Sequence, residues 1–178
     1  MEISELIELA RDCGFKVASA LDPATLQFLP EVREMCAADK CHNYNKSWSC
    51  PPAAGELDAL AERSARFDKG VIVQTVGVME DEFDIETMTE TGEKHKAAFE
   101  RLTDRLTEMR LDCFPMGMGT CTRCKKCTYP DAPCRFPDKV FPSMEACGLL
   151  VSQVCTDNGV KYYYGPNTLA YTSCVLFK

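Results

Sequence analysis

Four cysteines occupy fourteen residues just past the middle of the chain, and their spacing is that of a metal centre. Cys121, Cys124 and Cys127 form a C-x2-C-x2-C pattern, and Cys134 follows after a six-residue gap, directly behind a proline. A loop this short directs its sulfurs toward one multinuclear centre, and three thiols at one short interval suit the separate irons of a [4Fe-4S] cluster. Zinc more commonly takes two C-x2-C pairs set well apart. The pattern therefore favours an iron–sulfur cluster, with zinc as the alternative.

A second cysteine group lies in the N-terminal half. Cys36, Cys41 and Cys50 are spaced C-x4-C-x8-C in a segment with little helical or strand periodicity, which also holds the only tryptophan. Cysteine followed by proline, as at Cys50-Pro51, recurs in ferredoxins. Either these three cysteines hold a second cluster with a fourth ligand from elsewhere, or one of them completes the first cluster and the loop wraps it. The candidates for the fourth ligand are His42, Cys134 and Cys147.

Four motifs, taken together, resemble a known family. They are Cys41-x2-Tyr44-x-Lys46-Ser47-Trp48-Ser49-Cys50-Pro51-Pro52, Cys121-x2-Cys124-x2-Cys127, Pro133-Cys134-Arg135-Phe136-Pro137 and Pro142-Ser143-Met144-Glu145-Ala146. Over nearly its whole length the chain resembles the domain of unknown function 2284, predicted metal-binding proteins of anaerobic bacteria and archaea. The resemblance implies a metal and supports the seven cysteines named above, Cys134 included, but no reaction. It counts against Cys147, because members often carry an aromatic residue there.

Composition limits the class of protein. The chain has 178 residues, of which 46% are hydrophobic, with twelve cysteines and a formal charge of −7. This length predicts a single domain, residues 1–178, with one good core. The acidic N-terminus lacks the pattern of a signal peptide, and no apolar run approaches the length of a membrane span. We therefore expect a cytoplasmic protein with reduced thiols and no membrane partner, and so many free thiols indicate an anaerobe.

The second cysteine loop is basic although the chain is acidic. Residues 121–139 hold five lysines and arginines against two aspartates. Cations near an anionic cluster favour its reduced form, and we expect Arg135 to contact the cofactor. Gly117 and Gly119 are predicted to bring backbone N–H groups close to the sulfurs. One short basic loop is not a phosphate-binding stripe, so nucleic acid is not an expected partner.

Hydrophobic periodicity predicts the elements that must position these loops. Helices are expected at 3–13, 57–64, 93–110 and 144–157; strands are expected at 15–20, 71–78 and 111–116, followed by a hairpin over 162–177. Residues 22–35 form either a short helix or an extended segment, and residues 79–92 form either a surface excursion or the start of a helix. The alternation predicts an α/β sandwich with a mixed β-sheet, helices packed on it, and two cysteine loops, 36–52 and 117–142, near one edge.

Three functions stay open at this point. The first is electron transfer between larger redox proteins. The second is catalysis at a cluster with three protein ligands, whose open iron binds a sulfur or oxygen atom of a small substrate. The third is a zinc-stabilised interaction module. Seven ligands divide more naturally into four and three than into two sets of four. We expect His95 to be solvated on a charged helix, and the isolated cysteines at 13, 113, 155 and 174 to fill the core.

Overall fold

The chain folds around one four-stranded antiparallel sheet, seen in a computed structural model that describes residues 1–178. The strands, in the sheet order β1-β2-β4-β3, are β1 (Val17–Leu21), β2 (Lys69–Val78), β4 (Thr168–Phe177) and β3 (Cys113–Met116). The helices are α1 (Ile3–Asp12), α2 (Pro30–Ala37), α3 (Leu57–Ser64), α4 (Ile85–Glu108) and α5 (Val151–Asp157). Short 3-10 helices lie at Pro23–Thr25, Pro137–Lys139 and Glu145–Cys147. No helix is both long and apolar enough to cross a membrane.

Helices cover both faces of the sheet, because alternate residues of its central strands point to opposite sides. Val71 and Val73 of β2 pack against α1 and α4 in a cluster that includes Leu102. Ile72, between those two valines, joins the opposite cluster with Val154 of α5. The apolar β-branched run predicted as the central strand is thus confirmed, and the α/β sandwich with it.

The prediction of a mixed sheet is wrong, and the reason lies in the order of the strands. β2 and β3 flank β4, and each pairs with it antiparallel, so β2 and β3 run parallel to each other. The crossover through α4 does create the parallel relation that a strand–helix–strand alternation predicts. Because β4 inserts between the two strands, every hydrogen-bonded pair in the sheet is antiparallel.

β3 is much shorter than its partner, and this leaves part of β4 with a free edge. β4 pairs with β2 along its whole length, from Thr168 opposite Val78 to Phe177 opposite Lys69. β3 reaches back only as far as Cys174 of β4. Residues 168–173 therefore have no strand on their second side. The chain leaves β3 at this end of the sheet and enters the second cysteine loop.

Two helices differ from their predicted bounds for local reasons. α4 begins at Ile85 instead of residue 93, because the Asp84 carboxylate accepts a hydrogen bond from the Thr87 N–H at 2.9 Å and caps the helix. The helix predicted over 144–157 is two elements, Glu145–Cys147 and α5. Gly148 separates them in the left-handed conformation, with φ of 76°. Residues 30–37, left undecided by the sequence, form α2.

The predicted hairpin over 162–177 is also wrong. Only its second half is a strand, and that strand pairs with β2 and β3. Residues 161–164 are held by side-chain bonds instead: the buried Gln74 amide donates to the Lys161 carbonyl at 2.9 Å and accepts from the Tyr164 hydroxyl at 2.7 Å. Tyr162 and Tyr163 consequently lie at the surface, 48% and 68% exposed.

His95 is buried in the core, contrary to the solvated role expected for it. Its Nδ1 pairs with the Thr75 hydroxyl at 3.0 Å and its Nε2 with the Ser173 hydroxyl at 2.8 Å, which joins α4 to β2 and β4. The ring is 0% exposed. Burial, with a smaller contribution from the neighbouring Lys96, lowers the pKa of His95 to about 3.

Candidate metal centre

The second cysteine loop folds back so that its four cysteines line one small pocket. Cys121, Cys124, Cys127 and Cys134 share this pocket with Trp48 and other side chains. The volume open to the centre of a water molecule is about 20 Å³. Each of the four thiols is partly buried. The four cysteines that the sequence grouped by spacing are therefore also grouped in space, around one small pocket.

Backbone N–H groups converge on these sulfurs. The Phe136 N–H donates to Cys134 Sγ at 3.4 Å. Burial raises the pKa of Cys127, but hydrogen bonds from the N–H groups of Tyr129, Trp48 and Thr128 and from the Ser47 hydroxyl outweigh it, so the pKa is lowered. At Cys121 burial dominates and raises the pKa, although the Arg123 N–H opposes it. N–H donors of this kind stabilise a thiolate, which is the form that binds metal.

The cations of this loop are mostly engaged with the protein itself. Arg123 forms a two-pronged ion pair with Asp104 of α4, at 2.7 and 3.2 Å, and Lys139 reaches the same carboxylate at 3.3 Å. Arg135, predicted to contact the cofactor, lines the pocket and donates to the Lys126 carbonyl at 2.9 Å, which ties the two ends of the loop together. The exposed cations Lys125 and Lys126 remain at the rim.

The first cysteine group begins at the end of α2 and continues into the loop that follows this helix. Cys36 is in the last turn of that helix, and its thiol lies 3.8 Å from the Glu145 carbonyl. Burial raises the pKa of Cys36, and charge on Glu145, Cys41 and Cys50 raises it further, which places these groups close together. Cys41 is exposed and Cys50 is buried.

Arg33 and Gly148 fix the position of α2, and sequence reasoning identified neither. The Arg33 guanidinium donates to the Ala146 carbonyl at 2.6 Å and to the Gly55 carbonyl at 2.9 Å, which joins α2 to the segments on both sides of the site. The Leu29 N–H donates to the Gly148 carbonyl at 2.8 Å. A Cβ on Gly148 would lie 2.6 Å from a Leu57 methyl, so only glycine allows this approach.

The three cysteines of this group face a large open cavity. Cys36, Cys41 and Cys50 form part of its wall, and the volume open to the centre of a water molecule is about 630 Å³. The cavity lies along the free edge of β4, whose residues 168–172 line it, beside Gly119 and Thr120 from the second loop. None of the predicted fourth ligands, His42, Cys134 and Cys147, belongs to the lining. No fourth thiol therefore stands with these three.

The two predicted glycines serve different purposes. Gly117 lies within the core, and a Cβ there would meet the Phe141 ring at 2.7 Å. Its N–H donates to the Pro142 carbonyl at 2.8 Å, so it is not free to donate to sulfur. Gly119, with φ of 61°, lines the three-cysteine cavity and not the four-cysteine pocket. Close packing explains Gly117, and the positive φ explains Gly119.

Ser49 and Lys96 connect the two cysteine groups. The buried Ser49 hydroxyl accepts from the Cys121 N–H at 2.9 Å and lies 3.9 Å from Cys50 Sγ. The Lys96 ammonium donates to the Thr120 carbonyl at 3.0 Å. Burial lowers the pKa of Lys96, while charge on Cys121, Glu100 and Cys50 opposes that shift, so this cation stands near both groups.

The other five cysteines lie outside both pockets. Cys13, Cys147, Cys155 and Cys174 are buried in the two hydrophobic clusters, and Cys113 packs against one of them. Burial raises the pKa of Cys147 to about 12 and that of Cys113 to about 11. Cys147 and Cys113 are therefore neutral thiols. The expectation that the isolated cysteines at 13, 113, 155 and 174 fill the core agrees with this placement.

The donors are not arranged around a single point. No group of three or more histidine, cysteine, aspartate or glutamate side chains could hold a metal ion as it stands. A tetrahedral zinc site requires donors at roughly 2.0–2.3 Å from one ion. In a cluster each thiolate binds a different iron, so the sulfurs stand farther apart.

Two pockets lined by cysteine on one α/β domain are typical of a cysteine-rich metal-binding protein. The comparison with protein families agrees: residues 19–177 match the family described as predicted metal-binding protein, domain of unknown function 2284 (DUF2284). The chain belongs to this family, and the resemblance read from its motifs is confirmed. Searches of curated proteins and of solved structures gave no match.

Proposed function

We propose that this chain is a two-cluster iron–sulfur enzyme. In this proposal Cys121, Cys124, Cys127 and Cys134 hold a [4Fe-4S] cluster that transfers electrons. Cys36, Cys41 and Cys50 would hold a second cluster, and the lack of a fourth protein ligand would leave it an open iron for a small molecule in the cavity. The observation that carries the proposal is the difference between the two pockets: four thiols surround a small pocket, while three thiols border about 630 Å³ of open space without a fourth.

The donor sets fit iron–sulfur clusters. All seven proposed ligands are cysteines, and N–H donors are directed at Cys127 and Cys134. Such hydrogen bonds to sulfur are among the features that tune cluster potential. When bound at the three cysteines, a cluster with an open iron supplies a Lewis acid and one-electron chemistry beside the cavity.

The protein residues around the second site have separate tasks. Arg33 holds α2 and therefore Cys36, and it keeps the Ala146 carbonyl fixed at the cavity wall. Glu145 is the only carboxylate in the lining. Tyr44 and Pro51 of the first loop and Met118 of the second contribute apolar surface to the cavity beside the thiols.

Ser49 makes the two sites one unit for electron transfer. It follows Trp48 and precedes Cys50 in the chain, and its hydroxyl accepts the Cys121 N–H. A path of covalent bonds interrupted by this single 2.9 Å hydrogen bond therefore runs from Cys50 to Cys121. With clusters bound at both groups, this path would connect them, and the exposed Lys125 and Lys126 would offer an acidic redox protein a contact beside the four-cysteine pocket.

The test is metal analysis of matched cysteine variants purified without air. Two clusters require about eight irons and eight acid-labile sulfides per chain, and one cluster about four. Cys124→Ser and Cys41→Ser should each lose about half of the iron, while Cys174→Ala, the matched control in the core, should keep all of it. Zinc in stoichiometric amount without sulfide, or the same iron content in Cys41→Ser as in the unaltered protein, would refute the proposal.

A further inference from the structure

The cavity beside the three cysteines carries almost no charge that could bind an anion. Among its lining residues Glu145 is the only one with a charged side chain, and none is lysine, arginine or histidine. Arg33 and Lys96 approach from behind the lining, but both donate to backbone carbonyls of lining residues. A phosphate or carboxylate would meet no positively charged side chain in this lining, and Glu145 would repel it.

Tyrosine forms much of the wall. Four of the six tyrosines of the chain, at positions 44, 162, 163 and 171, line this one cavity. Tyr162 and Tyr163 are 48% and 68% exposed, so both rings are accessible from solvent. The Gln74 side chain of β2 ties Lys161 and Tyr164 to the sheet, and Tyr162 and Tyr163 lie between these two anchors and line the cavity. Flat rings around an open space suit a planar ligand, which can stack on them.

The remaining lining is apolar with a few hydrogen-bonding groups. Met118, Val151 and Leu169 provide apolar surface, and Asn43 and Thr168 offer neutral donors and acceptors. A volume of about 630 Å³ falls in the range of sites for small organic molecules. The site therefore has the size and surface for a ligand with one or two rings and neutral polar groups.

We infer that the cavity binds an uncharged, planar heteroaromatic molecule that presents a sulfur or nitrogen atom to the three-cysteine end. The direction of that atom depends on the proposed function, because a soft donor suits the open iron of a cluster. The preference for a neutral planar body depends only on the cavity wall. The same wall disfavours phosphorylated and carboxylated ligands.

The experiment compares two probes of the same shape and different charge. Pyridine-2-thione is uncharged in neutral solution, and its 5-carboxylate, which cannot bind one iron together with the sulfur, is an anion. Titration calorimetry on the protein purified without air should show the neutral probe binding about tenfold more tightly or better. Thr168→Lys, which adds a cation to the lining, should bring the carboxylate to within about threefold of the neutral probe. Equal or tighter binding of the carboxylate to the unaltered protein would overturn the inference.

Tyr163 allows a second test, because it is exposed enough to change without loss of the fold. Tyr163→Ala should weaken binding of the neutral probe about five- to tenfold, and Tyr163→Phe, which keeps the ring, should stay within about twofold. An unchanged affinity in Tyr163→Ala would count against stacking.

The spin-resonance signal of the reduced cluster separates this inference from the proposed function. If the neutral probe binds without shifting the signal, the inferred ligand class is supported and the open iron of the proposed function is refuted. If the carboxylate binds more tightly and shifts the signal, the open iron is supported and the inferred ligand class is refuted.

Discussion

Acid should unfold this protein through His95, and the size of the effect follows from its burial. The imidazole is 0% exposed and uncharged, with its pKa lowered to about 3, whereas an unfolded histidine titrates near 6.5. The unfolded chain therefore binds a proton between these two values that the native chain does not. Stability is complete above about pH 6.5 and falls as the pH decreases, by about 1.4 kcal/mol per unit. Between pH 7 and pH 5 the loss is about 2 kcal/mol, and any native pKa below about 4 gives the same result.

The assay is urea unfolding at pH 7, 6 and 5 under anaerobic conditions, with the iron content checked at each pH. His95→Gln supplies an uncharged side chain that can still bond the Thr75 and Ser173 hydroxyls, so it should lower stability at pH 7 yet lose about 2 kcal/mol less between pH 7 and 5. His42→Gln removes the only other histidine, from an exposed position, and should keep the full loss. If His95→Gln loses as much stability as the unaltered protein, the buried imidazole is not the acid-sensitive group.

Three further predictions concern the site. Gly148→Ala should lower the free energy of unfolding by about 2–3 kcal/mol, because the new methyl meets Leu57 at 2.6 Å in a residue with φ of 76°. Under the proposed function it should also release the iron bound at Cys36. The control is Gly159→Ala, at φ of 66° with nothing within 4 Å, which should lower the free energy of unfolding by only about 1 kcal/mol in the same urea assay. Lys96→Met removes a cation that stands near both cysteine groups, so it should lower the reduction potentials of both proposed clusters by tens of millivolts in a redox titration. A shift of 59 mV is a tenfold change in the equilibrium constant for one electron. The control is Lys94→Met, at a solvent-facing position, which should leave both potentials unchanged. Lys125→Glu with Lys126→Glu should slow reduction by an acidic redox protein about tenfold at low salt and leave reduction by dithionite unchanged; equal slowing of both would contradict a docking role.

The parts of the fold that sequence could predict are those determined by local periodicity. The apolar run of β2 and the spaced apolar face of α4 each identify an element without knowledge of the rest of the chain. The strand order could not be predicted, because the insertion of β4 between β2 and β3 is decided by contacts across about a hundred residues. The break at Gly148 was missed for a similar reason, since its cause is Leu57 in another helix.

The candidate site shows the same division between local and distant information. Spacing alone separates the cysteines into a group of four and a group of three, because ligands of one loop are close in sequence. Arg33 carries no motif, and its role is visible only once its carbonyl partners at Ala146 and Gly55 are known. The sequence predicts Tyr162 and Tyr163 as strand residues, because a run of three tyrosines before the turn Gly165-Pro166-Asn167 is typical of a hairpin.

What distinguishes the two cysteine groups chemically is the length of a strand that contains only one of the twelve cysteines. If β3 paired with β4 along its full length, residues 168–173 would be covered and the three-cysteine group would face protein. Because β3 ends opposite Cys174, the free edge of β4 and the loop at 118–120 leave open space beside Cys36, Cys41 and Cys50. The four-cysteine loop has no such neighbour and closes on itself with Trp48. Cysteine thus lines two different kinds of pocket, an enclosed one suited to electron transfer and an accessible one suited to ligand binding. The length of β3, and not the cysteine spacing, determines which of the two pockets is open.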